Sequence, residues 1–482
     1  MTALQPLTHG SLPAMAAAIA TVVISASSTA TADVWVFEPS AAIDQRVDSN
    51  YRLDPYEDQG VAATRAVAAL DAKRETGTFF VRGQARVDAL LSINENDTNE
   101  RSSNQVLYVD TGVEQPRLNY GIEFSFKQDT PSRDISADVT DLSQTAADTG
   151  ASVTQDQNID RRRLVLSPRL SYNLSRRTEL STRFTHTRVE HGLPSVQDAI
   201  DRQVQAIINN ENAPEELVDT LQNLGRPATI NDIGRFTIDD ELDDFQENLI
   251  EFSVRHQLTR IDTLSAQVSY SDYEAQSEFA SEEPDRIQDP REINILRNPR
   301  LATFVDTKRF AIGYERSFSP TLTAGLQLGY FVADSDRFGE LEKNEGYTTS
   351  ISMTRFAGIS QFSGRIGVEV FPSDIGDVVE SLDVIGDYRR EMSPLLDFSL
   401  RVRAYEPDAI SDNSDDDRFA RRFLSVEPKW IWRFRRAWTA GASYRYRRQK
   451  SQVDPVSGDS HALLFSLKYT PPSEIADLER NK

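Results

Sequence analysis

Hydrophobic and polar residues alternate one by one along many stretches of this chain. In one such stretch an apolar set and a polar set interleave: Leu322, Ala324, Leu326, Leu328 and Tyr330 against Thr323, Gly325, Gln327 and Gly329. Successive side chains of a β-strand point to opposite faces, so this period of two predicts strands with one apolar and one polar face. The runs reach about 10 residues, the length that a tilted strand needs to cross a membrane, whereas most strands of soluble proteins have about five or six.

The alternating runs occur in pairs that are joined by brief polar turns, which is the signature of β-hairpins. Between the hairpins lie longer polar segments, at residues 191–245, 275–303, 333–346, 406–418 and 451–460. Short connections that alternate with long ones are typical of outer-membrane barrels, with short periplasmic turns and long extracellular loops. We therefore predict an all-β fold over residues 33–470, a transmembrane antiparallel up-and-down β-barrel of about 16 to 18 strands.

Residues 193–224 differ from the strands. Their apolar residues recur with helical spacing, and Ser195 is a suitable N-cap. The pattern predicts one helical insert in an extracellular loop, which either folds over the pore mouth or lies exposed on the surface.

The two ends of the chain fall outside the predicted barrel. Residues 14–26 form a short apolar run, and Ala30, Thr31 and Ala32 precede Asp33. This pattern fits a secretory signal peptide at residues 1–32, although residues 1–14 contain neither Lys nor Arg. Residues 471–482 form a polar C-terminal tail. The predicted location is the outer membrane of a Gram-negative bacterium.

Residues 429–450 interleave large aromatic side chains with arginines, a pattern that also suits a nucleic-acid surface. The formal net charge of the whole chain is −22, the wrong sign for general attraction to a polyphosphate. In a membrane strand the two residue types separate by face. We expect Trp430, Trp432, Phe434, Tyr444 and Tyr446 to meet lipid while the basic residues point into the lumen, so nucleic acid is not a predicted partner.

The polar faces of the predicted strands are rich in arginine. We predict that the following side chains line a pore: Arg163, Arg169, Arg183, Arg255, Arg365, Arg401, Arg403, Arg433, Arg435, Arg445 and Arg447. Arg389 falls on the same face. Carboxylates on this face predict cross-strand salt bridges, and the basic surplus favours anions in the channel.

Catalytic and metal-binding signals are missing from the sequence. The chain has no cysteine, and its five histidines are scattered, so a thiolate or histidine-rich metal site is not expected. Hydrolase, phosphate-loop and dinucleotide fingerprints are absent. We therefore predict no enzyme activity, no metal and no cofactor. The acidic clusters that begin at Ile238, Ser281 and Ser411 are interpreted as solvated loops.

Two segments carry a resemblance to a known family. The first is "VFEPSAAIDQRVDSNYRL" from Val36 and the second is "SPRLSYNLSRRTELSTRF" from Ser167. They resemble outer-membrane β-barrel porins associated with bacterial exopolysaccharide clusters. The resemblance implies an outer-membrane location and a part in polysaccharide secretion, beside exopolysaccharide export components.

The predicted function is that of a porin-like barrel, in contact with outer-membrane lipid and lipopolysaccharide, that conducts or assists export of an anionic solute. An acidic exopolysaccharide is one such solute. The alternative is a structural or adhesive barrel with a closed lumen, whose acidic loops form the active surface.

Overall fold

The computed structural model describes residues 35–50, 60–94, 99–129, 160–192, 244–276, 303–337, 340–372, 378–409, 421–451 and 457–471. Every regular element within these ranges is a β-strand. The strands are β1 Val36–Asp48, β2 Val61–Thr76, β3 Phe79–Asn94, β4 Asn99–Glu114, β5 Leu118–Asp129, β6 Asp160–Asn173, β7 Thr178–Gly192, β8 Asp244–Gln257, β9 Asp262–Gln276, β10 Thr303–Ser319, β11 Leu322–Arg337, β12 Glu340–Ala357, β13 Ser360–Pro372, β14 Val378–Ser393, β15 Leu396–Ala409, β16 Arg421–Arg435, β17 Trp438–Ser451 and β18 Ser457–Tyr469. In the described ranges there is no helix with the length and hydropathy of a membrane span.

The strands form one closed antiparallel sheet. Each strand pairs with the next along the chain, and β18 pairs with β1 through the register Ala41↔Tyr469 to Asp48↔Ala462. Closure leaves the sheet without free edges along this junction, as a wall in lipid requires. The predicted up-and-down barrel is confirmed, with 18 strands.

The two rims of the barrel differ in the length of their connections. Tight turns close one rim, and Gly77 and Gly358 adopt positive φ values of 34° and 57° in two of them, a conformation that favours glycine. The long segments 130–159, 193–243 and 277–302 connect strands at the other rim. By the rule for outer-membrane barrels, the first rim is periplasmic and the second is extracellular.

The outward face carries an apolar belt bounded by polar groups. On β11 the outward residues Leu326 and Leu328 are 43% and 56% exposed. On β10 the apolar outward positions end at Lys308 on one side and Arg316 on the other, a distance of roughly 20 Å along the barrel axis for a tilted strand.

Tyrosines mark both edges of this belt. The Tyr270 hydroxyl donates to Asp306 at 2.9 Å near the extracellular edge, and the Tyr314 hydroxyl donates to Asp262 at 2.6 Å near the periplasmic edge. Aromatic side chains with a polar tip occupy the two membrane interfaces of such barrels. With this belt, the barrel is an outer-membrane protein.

One predicted loop is wrong. Residues 333–346 were expected to form a polar loop, but β11 continues to Arg337 and β12 begins at Glu340, and the described residues of this segment are paired between the two strands. Above the membrane an outward face no longer needs to be apolar, so charged residues extend the hairpin; Lys308 and Asp334 form an outward ion pair at 3.3 Å.

Several predictions fall on residues that the structure does not describe. The signal peptide at residues 1–32, the helical insert at residues 193–224 and nearly all of the tail at residues 471–482 lie outside the described ranges.

Candidate pore interior

The inward face holds most of the predicted arginines. By strand register, all but one of them lie on the same face of the sheet as buried inner residues such as Ser167 and Asp397. These arginines are Arg163 and Arg169 on β6, Arg183 on β7, Arg255 on β8, Arg365 on β13, Arg401 and Arg403 on β15, Arg433 on β16, and Arg445 and Arg447 on β17. Their role in lining a conducting pore stays a prediction.

Arg435 is the exception, since it does not lie on the inner face. A register shift between Trp432 and Arg435 places Arg435 opposite Trp438 at the periplasmic rim. The Trp438 ring lies 5.0 Å from the ring of Tyr469, an outward residue. Strict alternation had put Arg435 on the inner face, and the irregular end of β16 corrects that assignment.

The aromatic residues of the same stretch point outward, as predicted. Trp430, Trp432, Phe434 and Tyr444 are 37% to 53% exposed on the lipid side. The alternation of aromatics with arginines in residues 429–450 therefore reflects two faces of one wall.

Four arginines of β13–β16 form ion pairs that remain accessible from the lumen. Their side chains are 35% to 57% exposed. The pairs are Arg365 with Glu369 at 2.8 Å, Arg401 with Asp387 at 2.9 Å, Arg389 with Asp397 at 3.0 Å, and Arg433 with the same Asp397. We call Arg365, Arg389, Arg401, Arg403 and Arg433 the arginine wall.

Two of the inward-facing arginines predicted to line the pore form no ion pair with any described residue. Arg403 is the member of the arginine wall without such a partner, and Arg183 lies on the opposite side of the barrel. Arg183 faces Glu251 on one side but Arg169 on the other. Arg169 is paired with Asp110 and Glu123, so Arg183 is the guanidinium of this row that has no ion pair with a described residue.

Arg169 reaches across a whole strand. Its guanidinium bonds Asp110 of β4 at 2.7 Å, and it passes over Gly121 of β5. A Cβ at Gly121 would lie 3.3 Å from Nε of Arg169. Glycine therefore provides the space for this inner ion pair.

A buried ion cluster joins the first and last strands at the extracellular rim. Asp48 of β1 pairs with Arg46, and it also pairs with Arg447 of β17 at 3.1 Å across β18. Ser460 of β18 donates to Asp48 at 2.7 Å, and the backbone N–H of Asn50 donates to it at 3.1 Å. We call these residues the junction cluster. Arg447 is only 18% exposed, so it stabilises the barrel wall and contributes little charge to the lumen. The same holds for Arg445, which pairs with Glu427 at 2.7 Å.

The extracellular ends of β13 and β14 lean into the barrel. The ladder between β12 and β13 stops at Thr349↔Val368, although β12 continues beside β11 to Glu340. Beyond that point Val370 and Val378 are buried against inner-face residues of β9–β11, among them Phe331. The guanidinium of Arg309 on β10 donates to the backbone oxygen of Val370 at 2.5 Å. This inward bend narrows the lumen near its extracellular mouth.

Sequence comparisons find no relatives. No family model matches the chain, and no curated protein matches it.

Several solved structures are similar in fold. OccAB4 of Acinetobacter baumannii gives a TM-score of 0.41 at 12% identity, covering 91% of this chain and 98% of that one. The outer membrane channel DcaP of the same organism gives 0.40 at 13% identity, with 91% and 97% covered. OccK5 (OpdH) of Pseudomonas aeruginosa gives 0.40 at 11% identity, with 90% and 98% covered.

The junction cluster and the inward bend were missed by reasoning from sequence. Asp48 belongs to a quoted motif, but its partner Arg447 lies 399 positions away, and only closure of the barrel brings the two together. The bend had a weak signal in Val378 and Val379, two adjacent apolar residues that break the alternation.

Proposed function

We propose that this protein is a porin-like channel of the outer membrane that prefers anions and carries an anionic solute. The observation that supports the proposal most directly is the accessible arginine wall, together with the unpaired Arg183 and Arg403 among the described residues. A ring of one charge in a narrow lumen raises the local concentration of the opposite ion.

An acidic exopolysaccharide is the solute we propose, with exopolysaccharide export components as partners of the periplasmic rim. A polymer with repeated carboxylates meets arginines at several heights of the lumen at once. The outer belt would contact lipid, and its charged extracellular edge would contact lipopolysaccharide.

The channel proposal is tested in planar bilayers with the purified full chain. A salt gradient of potassium chloride should give a zero-current potential of the sign expected for chloride passage. A barrel that inserts but passes no current, or that prefers potassium, contradicts the proposal.

Neutralising the two unpaired arginines should weaken the preference for anions. In the double variant Arg183→Gln and Arg403→Gln, we expect the zero-current potential to move toward that of a non-selective pore, because two positive charges leave the inner face and no ion pair between described residues is broken. Arg390→Gln is the control, since Arg390 lies on the outward face of β14. If Arg390→Gln shifts the zero-current potential by the same amount, Arg183 and Arg403 do not act as charges of the lumen.

The alternative, a structural or adhesive barrel with a closed lumen, is favoured by the inward bend. Its extracellular loops would then be the active surface. Loss of surface binding on loop deletion, with unchanged permeability, would support this second function.

Weakening the inward bend should widen the channel. We expect the double variant Val370→Ala and Val378→Ala to give larger single-channel conductance, because fewer apolar contacts hold the ends of β13 and β14 against Phe331. Leu382→Ala removes apolar atoms from the outward face of β14, where the side chain is 43% exposed, and should leave conductance unchanged. Equal conductance in all three proteins would show that the bend does not limit passage.

A further inference from the structure

A recess lies in the inner wall just below the inward bend, where β12 and β13 part. Its volume is about 150 Å³. It is lined by Gln267, Ser269, Arg309, Ala311, Gln327, Thr348, Thr349, Ser350, Val368 and Glu369. Because drug-sized ligands fill about 300 to 1,000 Å³, this recess has room for a single small ring.

Small residues make the space. Ala311 lines the recess, and Gly329 lies between Ala311 and Thr348 in the register of β10, β11 and β12. A Cβ at Gly329 would lie 2.4 Å from Oγ1 of Thr348. Gly367 on β13 is similarly restricted, since its Cβ would lie 2.9 Å from Cβ of Ser350. The wall is therefore flat and polar at this height.

Arg309 has unused hydrogen-bonding capacity at the recess. One of its terminal nitrogens donates to Val370, and its buried Nε has no hydrogen-bond partner among the described residues. A guanidinium has five N–H donors, so after the bond to Val370 its other terminal N–H groups can meet an acceptor oxygen that a solute supplies in the recess.

The other polar groups of the recess combine donors with acceptors. Glu369 is held by Arg365 and presents carboxylate oxygens that accept hydrogen bonds. The amides of Gln267 and Gln327 both donate and accept, and the hydroxyls of Ser269 and Ser350 do the same. Hydroxyl groups of a solute can satisfy both kinds of group.

The local charge does not favour a simple anion. The carboxylates of Glu369, Glu247 and Glu251 interact electrostatically with the guanidinium of Arg309. Glu247 also accepts a hydrogen bond from Ser271 at 2.7 Å. A solute bound here is recognised through hydroxyl groups and not through its charge.

We propose that this recess is a binding subsite for one saccharide unit. The guanidinium of Arg309 donates through a terminal N–H to a ring or hydroxyl oxygen, and Glu369 accepts from a hydroxyl group. The proposal rests on the proposed channel for the path of the solute, and it adds that the sugar ring is bound separately from the charge selection by the arginine wall.

The test measures saccharide binding to the full chain in detergent micelles by saturation-transfer NMR. The probes are maltotriose, a neutral glucose trisaccharide, and glucuronate. We expect saturation transfer to both, since hydroxyl groups are common to the two sugars. Transfer to neither probe would overturn the subsite, and transfer to glucuronate alone would overturn recognition through hydroxyl groups.

Ala311→Leu is the decisive variant because the larger side chain fills the recess. We expect maltotriose to bind about tenfold more weakly, the loss that follows removal of a well-packed contact. Ala69→Leu makes the same change on the inner face of β2, elsewhere in the barrel, and should bind as the native chain does. Equal affinity in Ala311→Leu would overturn the proposal.

A second variant tests the subsite if Ala311→Leu fails to fold. Heat-modifiable gel mobility shows whether each variant has folded. Gln267→Leu keeps the volume but removes the amide, and it should also weaken maltotriose binding; unchanged affinity in this variant contradicts the proposal. The binding measurement does not depend on conductance. Anion preference without sugar binding therefore overturns only the subsite, and sugar binding without conductance overturns only the channel.

Discussion

Replacing Asp48 with alanine should lower the free energy of unfolding by about 3 to 5 kcal/mol, the cost of removing one member of a buried ion pair. The carboxylate lies between Arg46 and Arg447 and accepts from Ser460 and the backbone of Asn50. Its loss removes the carboxylate that lies between the guanidiniums of Arg46 and Arg447. Because these residues come from β1, β17 and β18, the change acts on the junction where the barrel closes.

Denaturant unfolding in lipid vesicles measures this cost. Glu75→Gln is the matched control, because Glu75 pairs with Arg82 at 2.9 Å but both side chains are about half exposed. An exposed pair contributes about 0 to 1 kcal/mol. If the two variants unfold with the same small change, the junction cluster does not hold the barrel closed.

Leu326→Arg should cost about 2 to 4 kcal/mol, whereas Gln327→Arg should cost little. Leu326 is an outward residue near the middle of β11, where an arginine would sit in the hydrocarbon. Gln327, the next residue, faces the lumen and lines the recess. Side chains have a period of two, so neighbouring substitutions sample opposite faces.

Unfolding of the two arginine variants under one set of lipid conditions gives the comparison. Equal costs, or a greater cost at Gln327, would mean that the faces of β11 are reversed.

The sequence predicted the features that depend on local periodicity. The outward placement of Leu326, Leu328 and Tyr330 follows from alternation alone, because a lipid-facing strand has to be apolar at every second residue. The same reasoning found the tight turn near Ser319 and the long connection after Gln276.

The sequence did not predict features that depend on distant strands. Arg169 bonds Asp110 only because Gly121 lies between them on the intervening strand, and Asp48 meets Arg447 only after closure. Nor does alternation say where a strand leaves the wall, as β13 does after Val368. The placement of Arg435 failed for a related reason, since a register shift interrupts the period at the end of β16.

The central claim is that the inner face forms an open aqueous lumen with a basic wall. Because the chain has no cysteine, a single introduced thiol reports on one position. Ser399→Cys places the thiol between Arg389 and Lys429 on the inner face, and Ile366→Cys places it outward, where the native side chain is 54% exposed toward lipid.

The deciding measurement is the rate at which each thiol reacts with water-soluble reagents in reconstituted vesicles. We expect the thiol at position 399 to react, and to react faster with an anionic reagent than with a cationic one of the same size, while the thiol at position 366 stays unmodified. A thiol at position 399 that reacts with neither reagent, or that reacts faster with the cationic one, would contradict an open basic lumen.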